Sequence, residues 1–261
     1  MFKNMKVLPN IKKLTKALIY LGAVAILAIL YFSVLRQTNM KIENVKIVLE
    51  SRGPDKLIAN EDIINYIYRK TGMPIKNRAI NDLDTREVEN LLDNVSYIKK
   101  CEVFISADGS YNIHCILNDP LIRVSGVGKR DFYFDIDGNV IPVSRRATAR
   151  VPLLTGNLKN IDFSQMKKEG TKANGILALG KEIHNDDFLN ALIEQIYIGN
   201  DGKLILIPKV GSQKLVFGKL ENINEKLDNL KIFYQTGMAG NGWRRFNRIS
   251  LEWEGQVVGS I

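Results

Sequence analysis

From Ala17 to Leu35 the chain runs nineteen residues without a charged side chain, and no other feature restricts its fold as much. At 1.5 Å per residue a helix of that length covers about 30 Å, the hydrocarbon depth of a bilayer. Tyr20 and Tyr31 stand near its two ends, where amphipathic rings prefer to lie. Lys3, Lys6, Lys12, Lys13 and Lys16 precede it with no acidic residue among them. The positive-inside bias therefore keeps residues 1–16 in the cytoplasm as a tail and sends everything after Arg36 outside. A cleaved signal peptide has a shorter apolar core and a small-x-small cleavage site, which Ser33-Val34-Leu35-Arg36-Gln37 lacks. A core helix shows a polar face and an interfacial helix a charged one, and neither pattern is present. The sequence predicts one uncleaved transmembrane helix over 17–35, with the lipid bilayer as its first partner.

The net charge of +9 is largely that lysine tail, so the extracytoplasmic body is only mildly basic. This argues against nucleic acid as a partner. The clusters Lys129-Arg130, Arg145-Arg146-Arg150 and Arg244-Arg245-Arg248 read as solvated or ion-pairing loops.

Beyond the anchor the pattern is α+β, in two successive units at 40–120 and 121–261. In the first, Ile42 to Leu49 reads as a strand, and Asn60 as the cap of a helix that carries Ile63, Ile64 and Ile67 and stops at Gly72. A second helix starts at Asp84, with Glu87 in capping-box position, and buries Val88, Leu91 and Leu92. A hairpin follows, Cys101 to Ser106 and Tyr111 to Leu117 about an Asp108-Gly109 turn, giving the order βααββ. The second unit is strand-rich. It has a pair around Asp135-Ile136-Asp137-Gly138, a helix over Ile176 to Ile183, and an antiparallel meander at 193–198, 204–207 and 215–217. A helix with Ile223, Leu227, Leu230 and Tyr234 on one face then leads to a final strand from Ile249 to Trp253.

The two cysteines fall in the hairpin. An odd-length loop aligns Val103 with Ile113, Ile105 with Tyr111 and Cys101 with Cys115, which keeps the apolar side chains on one face. Both sulfurs then sit on neighbouring strands in the core. Buried free thiols are the expectation adopted, with a cross-strand bridge as the alternative.

Catalytic chemistry is hard to assemble from these residues. His114 and His184 are the only histidines and have no second ligand at metal spacing, so neither a metal nor a cofactor is expected. The strings Ser164-Gln165-Met166-Lys167, Ser110-Tyr111-Asn112 and Lys70-Thr71-Gly72 match the S-x-x-K, S-x-N and K-T-G boxes of penicillin-binding enzymes. They run in the reverse order and fall in a polar loop, a hairpin turn and a helix end. No glycine-rich phosphate loop occurs.

A basic tail, one span, a βααββ unit and a strand-rich unit in that order resemble the bacterial division protein family FtsQ/DivIB. The first unit looks like its POTRA domain and the second like its β domain. The resemblance rests on Leu91-Leu92-Asp93-Asn94-Val95-Ser96-Tyr97-Ile98 leading into the hairpin, and on Asp119-Pro120 closing it. It rests also on Tyr133-Phe134-Asp135-Ile136-Asp137-Gly138-Asn139-Val140-Ile141-Pro142, on Pro152-Leu153-Leu154-Thr155-Gly156, and on the C-terminal helix and strand. Ser96 and Leu117 stand where the family usually has Pro and Glu.

The resemblance implies a non-enzymatic bitopic scaffold of the divisome at the septum, with its body outside the inner membrane. It would bind FtsB/FtsL-like bitopic partners through the β domain and help control septal peptidoglycan synthesis. The positions matching the family's partner surface are Tyr234, Arg248, Ile249, Leu251, Trp253, Gln256 and Val258. An edge strand has the means, since its unpaired peptide groups accept a further strand. Two other readings remain open on sequence: an anchored envelope enzyme, and a POTRA-type outer-membrane assembly factor.

Overall fold

The computed structural model describes residues 9–38, 41–53, 56–128, 131–237 and 246–261. The start of the lysine tail, Lys129-Arg130 and Arg244-Arg245 lie outside the described residues. Helix α1 spans Pro9–Thr38, about 45 Å at helical rise. Its side chains are described from Lys16 to Phe32, and all of these are exposed. Among the described residues no helix is long and apolar enough to cross a membrane.

Packing divides the chain into two compact units. One comprises Met1–Val48, Ile64–Leu92 and Glu102–His114, the other Leu49–Ile63, Asp93–Cys101 and Cys115–Ile261. The smaller sheet has three strands, β1 (Val45–Glu50), β2 (Ile98–Ile105) and β3 (Tyr111–Leu117), in the order β1-β3-β2. Between β1 and β2 lie α2 (Asn60–Thr71) and α3 (Thr85–Asp93). The cap of α2 is Ala59, one residue before the expected Asn60, which is the first helical residue. The Ala59 carbonyl accepts the first helical N–H groups, and the Ala59 N–H donates to the Asp62 carboxylate at 2.9 Å. Asp62 thus supplies the return half of a capping box with no side-chain acceptor at the cap. Asp84 caps α3 as expected, accepting from the Arg86 N–H at 2.9 Å.

The hairpin adopts the register set by its apolar residues. Cys101, Val103, Tyr111, Ile113 and Cys115 are all buried, and the Ser106 N–H donates to the Ser110 carbonyl at 3.0 Å. Cys101 and Cys115 form a disulfide with Cα atoms 4.1 Å apart, which corrects the expectation of free thiols. The same alternation that sends both side chains inward brings directly opposed residues within bonding reach.

The larger sheet has nine strands in the order β12-β11-β10-β9-β8-β7-β4-β5-β6. They are β4 (Pro120–Val124), β5 (Phe132–Asp135), β6 (Val140–Pro142), β7 (Leu153–Gly156), β8 (Ile193–Ile198), β9 (Leu204–Pro208), β10 (Lys214–Gly218), β11 (Arg248–Ser250) and β12 (Val258–Ser260). The expected meander is β8, β9 and β10, antiparallel throughout. β4 with β7 and β7 with β8 run parallel. Parallel neighbours need a crossover, and α4 (Lys172–Asn185) with α5 (Asp187–Leu192) supplies the one between β7 and β8.

Thr171 caps α4, its hydroxyl accepting from the Asn174 N–H at 3.2 Å. Ile176, Leu177, Leu179 and Ile183 of α4 form one core with Ile122, Leu154, Ile196, Leu206, Leu215, Phe217 and Ile249 of the sheet. α6 (Ile223–Ile232) adds Leu227 and Leu230. Lys231 of α6 donates at 2.8 Å to Asp186, which also caps α5 by accepting from the Leu189 N–H at 3.0 Å. These two donors hold the Asp186 carboxyl below the ordinary carboxylate range, and Asp186 with Asp228 raises the Lys231 ammonium.

Candidate interaction edge

The C-terminal strands are assembled from both ends of α6. β10 enters the helix at its N-terminal end. After a π-helical turn at Phe233–Gly237 and the undescribed residues 238–245, the chain lies down again as β11, parallel to β10 with Leu215 opposite Ile249. β12 then pairs antiparallel with β11, setting Gly259 opposite Ile249 and Val258 opposite Ser250. A Cβ at Gly259 would come within 2.6 Å of the Phe246 ring, so only glycine lets β12 close over that side chain. Phe246 in turn packs on Phe233 at 5.6 Å.

The structure separates the seven residues singled out in the sequence. Tyr234, Ile249 and Leu251 are buried. The Tyr234 hydroxyl accepts from Gln213 Nε2 at 2.8 Å, and its ring meets Phe188 edge-on at 5.8 Å. Burial raises this phenol's pKa, and the Gln213 donor offsets part of the rise. These three side chains hold the edge in place from within. Arg248, Trp253, Gln256 and Val258 face solvent, with Trp253 64 % and Val258 45 % exposed.

The strand expected from Ile249 to Trp253 is shorter, and a further strand, β12, follows it. β11 ends at Ser250, and the chain turns at Trp253, whose carbonyl accepts from the Gln256 N–H at 3.2 Å. The Gly255 N–H donates to Glu225 of α6 at 3.1 Å, fixing the turn beside that helix. Ile249 and Leu251 thus keep the core alternation while Trp253 leaves it.

In the sequence Glu252 alternates with the apolar residues of the last expected strand, and its partners are not legible there. It folds back over the sheet, accepting from Lys203 Nζ at 2.7 Å with Arg248 at 3.7 Å. The Glu252 partner raises the Lys203 ammonium. Beyond β12 no further strand pairs among the described residues. Among the described residues the outer side of Val258–Ser260 is therefore a sheet edge, and Trp253 and Arg248 of the same C-terminal segment are exposed.

Residues 119–260 match the family described as FtsQ/DivIB, C-terminal related. That is more than half of the chain. The chain belongs to the FtsQ/DivIB family. Residues 41–115 match the POTRA-like domain, which contains the three-stranded sheet up to Cys115. No curated protein matches the chain. FtsQ/DivIB membership gives a role in cell division, and the matched segment takes in β11 and all of β12.

Within this FtsQ/DivIB chain the three penicillin-binding-like strings are consumed by local structure. The Ser164 hydroxyl donates to Asp162 at 2.6 Å in a short 3-10 turn, and Lys167 donates to Asn139 at 2.6 Å. The Ser110 hydroxyl donates to Asp108 at 2.9 Å in the hairpin turn, where Asn112 donates to Ser106 at 2.7 Å. The Thr71 hydroxyl donates to the Ile67 carbonyl at 3.0 Å at the end of α2. His114 lies in β3 and His184 in the last turn of α4. Among the described residues no group of three or more His, Cys, Asp or Glu could hold a metal ion.

Proposed function

We propose that this FtsQ/DivIB chain is a non-enzymatic, single-pass scaffold of the divisome that receives FtsB/FtsL-like bitopic partners by strand addition along β12. The observation that carries the reading is the outer edge of Val258–Ser260, which no other strand pairs among the described residues, with Trp253 and Arg248 of the same segment exposed. Peptide groups on such an edge supply affinity, and an exposed aromatic on its rim is the usual anchor. The anchor part of the reading is supported by the uncharged stretch inside the thirty-residue α1, where Leu18 to Phe32 turn apolar side chains outward. The body would then stand on the outer face of the inner membrane at the septum, where holding partners helps control peptidoglycan synthesis.

The test is co-purification of the full chain with its FtsB/FtsL-like partners. Trp253→Ala is expected to weaken the complex roughly thirtyfold, the loss typical of a hot-spot aromatic. Val210→Ala, equally exposed in the turn between β9 and β10, is expected to leave it unchanged. Undiminished binding by Trp253→Ala, together with undiminished binding when Gln256–Ile261 is removed from a still-folded chain, overturns the proposal.

A further inference from the structure

One packing unit holds both α1 and the loop 72–79 that follows α2, and backbone bonds tie that loop to the chain just beyond α1. The Ile42 N–H donates to the Arg78 carbonyl at 2.8 Å, and the Asn77 N–H donates to the Ile42 carbonyl at 2.8 Å. Lys41 forms a bridge with Ala79 beside them. Helix α1 ends at Thr38, four residues before Ile42. Even fully extended, four residues span about 14 Å, so this attachment stays within that reach of the end of α1. On the reading of α1 as the membrane anchor, on which this inference rests, the loop therefore lies close above the outer face of the bilayer.

The segments joined there carry one sign of charge. Arg36, Lys41, Arg69, Lys70, Lys76 and Arg78 fall within 36–42 and 69–81, and neither stretch contains an aspartate or a glutamate. Asn39 and Met40, which separate α1 from Lys41, are uncharged. Lys41, Arg69, Lys70 and Lys76 are exposed. Lys70 stands over the Tyr66 ring at 5.8 Å, and among the described residues no carboxylate pairs with Lys41, Arg69, Lys70, Lys76 or Arg78. Apolar groups stand among these cations. The Gly72 N–H closes α2 by donating to the Tyr68 carbonyl at 2.8 Å, and Met73 directly beyond it is 55 % exposed, with Tyr68 51 % exposed one turn earlier. Ile75 is buried, so the loop is braced from within while Met73 projects.

Cations without acidic partners, set around an exposed thioether and phenol, suit a surface that offers phosphates and apolar depth together. Each lysine or arginine near an anionic bilayer is attracted within about one Debye length, roughly 10 Å. Amphipathic rings and apolar side chains settle at headgroup level. The short reach from α1 favours the bilayer over a folded protein domain, which is about 30 Å across. We infer that the end of α2 and the loop 72–79 rest on anionic phospholipid at the outer face of the membrane. Lys70 and Lys76 lie against lipid phosphates, and Tyr68 and Met73 settle among the headgroups.

The experiment is hydrogen exchange of the full chain in nanodiscs of phosphatidylglycerol and, separately, of phosphatidylcholine. Amides of residues 73–77 are expected to exchange at least about thirtyfold more slowly on the anionic lipid, the worth of two cations at about fivefold each. Lys70→Gln combined with Lys76→Gln is expected to remove that factor, as is salt at about 1 M, where the Debye length falls to about 3 Å. Amides of β8 to β10 are expected to exchange alike in both lipids and in both proteins, which shows that the variant is folded. Equal exchange of 73–77 in the two lipids overturns the inference, and so does a difference that survives both the double variant and the salt. Protection that appears only when division partners are added assigns the face to a protein and overturns it too. Alkaline carbonate extraction of membranes bearing the chain separates the two readings. Release overturns the anchor and this inference with it, whereas a chain that resists extraction yet exchanges alike in the two lipids overturns the inference alone.

Discussion

The Cys101–Cys115 bridge closes a loop of fifteen residues, fourteen apart in sequence, and that length sets its worth. Restricting the unfolded chain by a loop of this size stabilises the folded state by about 3 kcal/mol in the chain-entropy account. Small domains carry about 5–15 kcal/mol in total, so reduction should weaken the three-stranded sheet substantially without unfolding the nine-stranded one. The change is best read locally, by hydrogen exchange of the intact chain before and after reduction. Amides of β2 and β3 are expected to lose about a hundredfold in protection, the equivalent of that free energy, while β8 to β11 hold theirs. Reduction is cleaner than a Cys101→Ala, Cys115→Ala double variant, which also removes buried sulfur and leaves a cavity. Equal protection in the two states would refute the entropic argument. Two alkylatable thiols in the unreduced protein would refute the bridge itself.

Two further outcomes follow from local geometry. A Cβ at Gly156, where φ is 100°, would lie 2.2 Å from the Ile198 carbonyl oxygen, so Gly156→Ala must both strain the backbone and push β7 from β8. A loss of at least about 2 kcal/mol in chemical denaturation is expected, against about 1 kcal/mol for Gly126→Ala, which pays only the backbone strain. Asp186 has its pKa lowered by Lys231 and the Leu189 N–H, so its contribution is present above the ordinary aspartate value and fades as pH falls through the lowered one. Unfolding measured down an acid series should be less pH-dependent in Asp186→Asn, and an unchanged slope would contradict the assignment. Lys231 has the opposite sign, its contribution being present below the ordinary lysine value and lost as pH rises through the raised one.

Long periodic segments were legible in the sequence: α2, α3, α6 and the meander are where apolar spacing places them, and the hairpin register follows from keeping its apolar residues together. β4 and β7 were not read as strands. Leu121-Ile122-Arg123-Val124 and Leu153-Leu154-Thr155-Gly156 are too short for alternation to register, and the parallel pairings of β4 with β7 and of β7 with β8 join segments far apart in sequence. Alternation also misplaced the end of the final strand. Ile249, Leu251 and Trp253 share a parity, but the chain turns at Trp253, and the Gly255 N–H in that turn donates to Glu225 thirty residues earlier, a contact that alternation cannot report. The pairing of the two cysteines could be seen in the register, whereas their oxidation could not, because alternation places atoms without fixing their redox state. Of the candidate site, the sequence singled out the segment that folds as β11, the turn at Trp253 and β12. It could not say that Tyr234 and Leu251 support the edge from below while Trp253 and Val258 stand on it, a distinction made by burial alone.

The parallel pairing of β10 with β11 also imposes an order of events. A chain cannot fold straight back into a parallel neighbour, so it must travel the length of α6 and return before β11 has a place to dock. β12 pairs with β11 alone, so it has no site until β11 is seated. The outer edge of β12 therefore forms only once β10, α6 and β11 are in place. A partner that added to β12, as proposed, would find nothing to hold on a chain whose β10 and β11 had not yet come together.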